Sequence, residues 1–157
     1  TVCLRKNVLQ KETGEVCQIN NLNVGQENSG APVHAEQMKE SSVGTNKVRL
    51  NFKVVNKGIG QVYEPGTFTT KCAGMESEKN RVKITVGSSD STFTAGCTQL
   101  SGGNSGVVTL VNNQKDITCT IDTNGLQDIT FQDLALVKLD YQYREAVMTP
   151  IVVTNAA

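Results

Sequence analysis

The sequence predicts an all-β domain. Three observations carry that reading: short segments alternate apolar and polar residues, Gly, Asn and Pro turn signals punctuate them at roughly ten-residue spacing, and no segment shows a helical period. The chain has 157 residues, enough for one domain, or one with a small appendage, whose sandwich core needs no metal to hold it.

Taken in order, residues 1–30 stand apart. Weak strand signals at residues 2–4 and 15–19 flank the turn composition Lys11-Glu12-Thr13-Gly14, and the polar run 25–30 reads as a linker. The chain thus divides into an N-terminal extension, 1–30, and a body, 31–157. Residues 31–39 alternate like a strand. Residues 47–55 alternate cleanly: Val48, Leu50, Phe52 and Val54 share one face, and Lys47, Arg49, Asn51 and Lys53 the other. Period two with one apolar face marks a half-buried antiparallel strand. Asn56-Lys57-Gly58-Ile59-Gly60 ends it with residues that tolerate positive φ.

Residues 62–63 and 67–72 follow as strands around a Pro65-Gly66 turn. Residues 81–86 repeat the alternation through Val82, Ile84 and Val86, and residues 92–99 put Phe93, Ala95 and Cys97 in one phase. A loop at 101–106 leads to short strands at 107–111 and 116–122, joined through Asn112-Asn113-Gln114. Asn124-Gly125 is a strong hairpin signal. Residues 135–143 form the best strand of all, with Ala135, Val137, Leu139, Tyr141 and Tyr143 on one face. Residues 148–154 close the chain as a last strand, which Pro150 confines to an edge or a bulge.

The five cysteines, Cys3, Cys17, Cys72, Cys97 and Cys119, lack C-x-x-C spacing, so zinc ribbons and thioredoxin-like motifs are set aside. Dispersed cysteines suit disulfides in an oxidising compartment. Cys3 and Cys17 flank the first turn. Cys72, Cys97 and Cys119 share faces with Phe68, Phe93 and Ile117 and so tend to point inward. The favoured pairs are Cys3–Cys17 and Cys97–Cys119, with Cys72 left over, free or bonded to another chain; each bridge is worth about 2–4 kcal/mol.

Lys plus Arg and Asp plus Glu both number 15, so no basic excess invites nucleic acid. Aromatic residues make up 4% of the chain and tryptophan is absent, which leaves few stacking platforms. No apolar run approaches the roughly eighteen residues of a membrane span. The chain begins at Thr1 and not at Met, the form expected of a processed mature protein. Gly103-Asn104-Ser105-Gly106 is similar to the nucleophile loop of trypsin-like proteases, but His34, the single histidine, lacks that family's setting. His34 alone cannot build a metal site, and Gly58-x-Gly60 lacks the third glycine of a dinucleotide fingerprint. No catalytic residue, cofactor or metal is therefore expected. Tyr141 and Tyr143 on a late strand resemble the tyrosine corner of immunoglobulin-like folds, in which a hydroxyl bonds backbone at a crossover.

The run Val48-Arg49-Leu50-Asn51-Phe52-Lys53-Val54-Val55-Asn56-Lys57-Gly58-Ile59-Gly60 resembles the second strand and following turn of CARDB-type immunoglobulin-like domains of bacterial and archaeal surface proteins. With the late strand through Tyr143, the resemblance spans residues 31–154. It implies an immunoglobulin-like antiparallel β-sandwich of about seven to nine strands, and an adhesive, display or spacer role without catalytic residues. Pilus-type subunits add a further expectation, because they lend a terminal strand to a neighbour's open sheet. Residues 1–10 would be that donor, with Val2, Leu4 and Val8 as plugs. The function expected is a structural subunit of an extracellular filament or cell-surface assembly that self-associates. The alternative is a monomeric adhesion or ligand-binding module whose ligand the sequence does not name.

Overall fold

The protein is seen in a computed structural model that describes residues 2–4, 17, 19, 27–68, 74–126 and 130–151. It is an all-β antiparallel sandwich. In chain order the strands are β1 (Val2–Leu4), β2 (Val33–Ser42), β3 (Lys47–Asn56), β4 (Gln61–Tyr63), β5 (Arg81–Ser88), β6 (Ala95–Cys97), β7 (Ser105–Thr109), β8 (Gln114–Asp122), β9 (Phe131–Asp133), β10 (Ala135–Asp140) and β11 (Gln142–Arg144). One sheet has the order β2-β3-β8-β6 and the opposing one β10-β5-β7, while β11-β4 and β1-β9 are two-stranded ribbons.

Alternation builds the core as the sequence predicts. Val48, Leu50, Phe52 and Val54 of β3 and Ile117, Cys119 and Ile121 of β8 are buried with Val82, Ile84 and Val86 of β5 in one cluster. Burying each such aliphatic side chain contributes about 1.5–3 kcal/mol. On the outer face of the β3–β8 pair, Lys47 lies opposite Asp122 and Lys53 opposite Asp116, so cross-strand charge favours the same register as the core. The connection from β7 to β8, which lie in opposite sheets, turns tightly through Asn112 and Asn113, both at positive φ (52° and 63°), with Val111 and Gln114 exchanging both backbone hydrogen bonds. Asparagine tolerates that conformation better than most residues, so the pair can reverse the chain between the sheets.

Several elements differ from expectation. There are eleven strands among the described residues: β9 adds an unexpected one, and the run 135–143 divides, β10 following β5 whereas β11 leaves it to pair with β4. The loop expected at 101–106 ends early, since β7 starts at Ser105. Residues 67 and 68 are not in a strand, and neither are residues 148–151, the described part of the expected last strand. Asn124-Gly125 makes a turn, with Leu126 N–H donating to Thr123 O at 3.1 Å. It closes no hairpin, because the strands after it pair with β1 and β5 instead of β8. Val2 and Leu4, read as part of a separate extension, are fully buried in the body's own core.

Both late tyrosines tie sheet to loop. Tyr141 Oη accepts the Val33 N–H at 3.3 Å, and Tyr143 Oη accepts the Gly60 N–H at 2.6 Å. The second contact explains two glycines: a Cβ on Gly58 or Gly60 would fall 2.1 or 2.8 Å from the Tyr143 hydroxyl.

Candidate strand-accepting groove

The two long sides of the sandwich are finished differently. On the β6/β7 side, residues 98–104 bridge the sheets. Cys97 N–H donates to Gly103 O, Gly102 N–H to Cys97 O, and Val86 N–H to Asn104 O, all within 2.9 Å. Cys97 and Cys119 lie directly opposite in register and are joined by a fully buried disulfide.

Among the described residues, the β2/β10 side is open. A groove of about 1370 Å³ runs between these two edge strands, lined by Val33, Ala35 and Met38 from β2 and by Val137, Leu139 and Tyr141 from β10 and the residue after it. Its two walls are chemically unlike. On β2, the Asn28 side chain satisfies the edge: its amide donates to Ala35 O and accepts the Ala35 N–H, each at 2.9 Å. The Tyr141 hydroxyl caps Val33 next to it.

The β10 wall keeps its bonding capacity. Val86 directs its N–H toward the β7 side, so the β5 residues that bond β10 are Lys83, Thr85 and Gly87, opposite Asp140, Lys138 and Leu136. Antiparallel geometry then turns the N–H and C=O of Ala135, Val137 and Leu139 outward, to the open edge. Their side chains face the core yet stay only half-buried. Among the described residues the groove thus offers an apolar floor and one row of unpaired backbone groups, which is what an added strand requires.

One end of this side is closed by β1. Val2–Leu4 pairs antiparallel with β9. The Cys3 N–H donates to both carboxylate oxygens of Glu40 at 2.9 and 3.1 Å. Glu40 is buried, and that burial pushes its carboxyl from 4.5 up to about 7 against the opposing pull of the Cys3 hydrogen bond.

Of the residues singled out from sequence, Cys3 bonds Cys17 and Cys97 bonds Cys119. Cys72 and Val8 lie outside the described residues, as do positions 11–14 and 152–154. Val2 and Leu4, expected as plugs of a donor strand, are buried in this chain's own core, where β1 pairs with β9. His34 on β2 sits 3.8 Å from Glu36, while Ser105 on β7 hydrogen-bonds Thr85, so these two stand on different sheets. No group of three His, Cys, Asp or Glu side chains able to hold a metal occurs among the described residues. Among the described residues no helix is long and apolar enough to cross a membrane.

The groove itself was missed in the sequence. Its one legible trace was Asn28, a cap hidden inside a run that reads as a linker.

Comparisons with protein-family profiles, curated proteins and solved structures give no match.

Proposed function

We propose that this chain is a structural subunit of an extracellular filament or cell-surface assembly, joined to its neighbours by strand addition. The observation that carries this reading is the unfinished β2/β10 side, an apolar groove beside a strand edge with no partner among the described residues, where the opposite β6/β7 side is bridged by residues 98–104. Exposed edges of this kind pair with other chains. The two disulfides fit an oxidising compartment. The order β2-β3-β8-β6 facing β10-β5-β7 supports an immunoglobulin-like class for the sandwich.

The test is electron microscopy of native, non-reduced protein together with light scattering across concentration. Filaments, or oligomers that grow with concentration, are the expected result. Dispersed single particles at every concentration overturn it and favour a monomeric adhesion or ligand-binding module.

A further inference from the structure

We infer that the strand filling the groove is the C-terminal segment of a second copy of this chain, residues 147–153, laid along the free edge of β10. The inference rests on the strand-addition reading and names its donor, its acceptor and their pairing.

The donor shows itself by exposure. After β11, residues 145–151 have no secondary structure and are all exposed. Val147, Met148 and Ile151 are 85%, 93% and 85% exposed, among the most solvent-facing large apolar side chains of the protein. The sequence continues with Val152 and Val153. A run this apolar, left against water, is unfavourable unless something covers it.

Length and chemistry match the acceptor. Seven extended residues span about 23 Å, slightly more than the six residues of β10. Proline has no N–H, so the edge of the donor that carries Pro150 cannot form a continuous ladder. Alternation puts Met148, Pro150 and Val152 on one edge and Val147, Thr149, Ile151 and Val153 on the other. The second edge is complete and suits the outward N–H and C=O groups of Ala135, Val137 and Leu139. The Pro150 edge then faces β2, where Asn28 already satisfies Ala35 and no ladder is needed.

A second copy is favoured over the chain's own tail by the turn chemistry. To fall back beside β10 in its own subunit, the chain must reverse immediately after β11. The residues there, Glu145 and Ala146, include no Gly, Asn, Asp or Pro, and tight hairpins depend on those residues. A tail in one subunit and a groove in the next form a heterologous contact, which repeats without closing and yields a filament.

The experiment uses four full-length or synthetic reagents: the native chain, the chain carrying Val147→Asp and Ile151→Asp together, a fluorescent peptide of residues 146–154, and the same peptide carrying Ile151→Asp. The substitutions lie on exposed residues, and circular dichroism checks that the fold is retained. We expect the native chain to oligomerise and the double variant to be monomeric. A minor fraction of the variant mixed into native protein should shorten the oligomers, because it still accepts a tail and cannot donate one. The peptide should bind the variant at least about tenfold tighter than a peptide carrying Ile151→Asp, a difference of about 1.4 kcal/mol.

Oligomers that persist in the double variant leave the assembly reading standing and overturn the tail as donor. Loss of oligomers without peptide binding places the tail's contact elsewhere and overturns the groove. A monomeric native chain whose double variant binds the peptide means that each tail fills its own groove, and the second copy is overturned. A monomeric native chain with no peptide binding by the variant overturns both this inference and strand addition itself.

Discussion

β5 and β10 are neighbours in one sheet and carry the same pattern, yet only one of them is finished. The inward residues of β5, Val82, Ile84 and Val86, are wholly buried, because β5 has β7 on one side and β10 on the other. The inward residues of β10, Ala135, Val137 and Leu139, are half-exposed, because β10 has one neighbour and a groove. Apolar alternation therefore sets which way a side chain faces. The number of neighbouring strands sets how much of it is removed from water.

The largest test of this contrast sets Ile84→Ala against Val137→Ala. Truncating a wholly buried isoleucine costs about 2–5 kcal/mol. Val137 loses fewer atoms from a half-covered site, and roughly 1 kcal/mol is expected of the monomer. Urea unfolding midpoints of the two variants measure the difference. Equal losses would mean that β10 is as enclosed as β5 and that the groove holds no free edge. If an added strand covers Val137, the cost of Val137→Ala should rise toward that of Ile84→Ala in the assembled state.

Strand faces were legible in the sequence because a period of two is a local property. Residues 47–55 and 81–86 declared their inner faces, and so did Cys97 and Cys119. The groove was not legible, because it depends on a missing partner. Ala135, Val137 and Leu139 alternate as cleanly as Val82, Ile84 and Val86, and nothing local separates a strand with two neighbours from a strand with one. The split of 135–143 between two sheets was hidden for the same reason, as partner choice is set by tertiary packing. Val2–Leu4 misled in the opposite sense. Three successive apolar residues lack alternation and look peripheral, yet all three are buried, Cys3 through its disulfide and its bond to Glu40.

The β1 end of the open side can be probed by pH. Burial raises the Glu40 carboxyl from 4.5 to about 7, so in that interval the folded chain holds a proton that the unfolded chain releases. The native state binds more protons, and stability must fall as pH climbs from about 4.5 through about 7, then level off. Glu40→Gln keeps an oxygen for the Cys3 N–H and removes the titration. We expect the variant to match the parent near pH 5 and to exceed it by roughly 1–2 kcal/mol at pH 8, after allowance for screening by nearby water. Thermal melts between pH 5 and 8 read this directly. Parallel pH profiles for parent and variant would show that Glu40 does not carry the buried proton.

The smallest effect concerns the difference between the groove's walls. Asn28→Ala removes the amide that pairs both backbone groups of Ala35. Those groups lie at an exposed position, where water replaces the lost bonds, so the stability loss should stay near 0.5–1 kcal/mol. Asn28→Asp retains an acceptor for the Ala35 N–H but no donor for its carbonyl, and should fall between the parent and Asn28→Ala. The larger consequence is a second unpaired edge, on β2, able to recruit strands without the selectivity of β10. In the tail-dead Val147→Asp, Ile151→Asp background, adding Asn28→Ala should leave the affinity of the 146–154 peptide unchanged. Self-association of that triple variant, followed by light scattering, should rise above that of the double variant. A peptide affinity that falls with Asn28→Ala would place the incoming strand against β2, and the assignment of the two walls would have to be reversed.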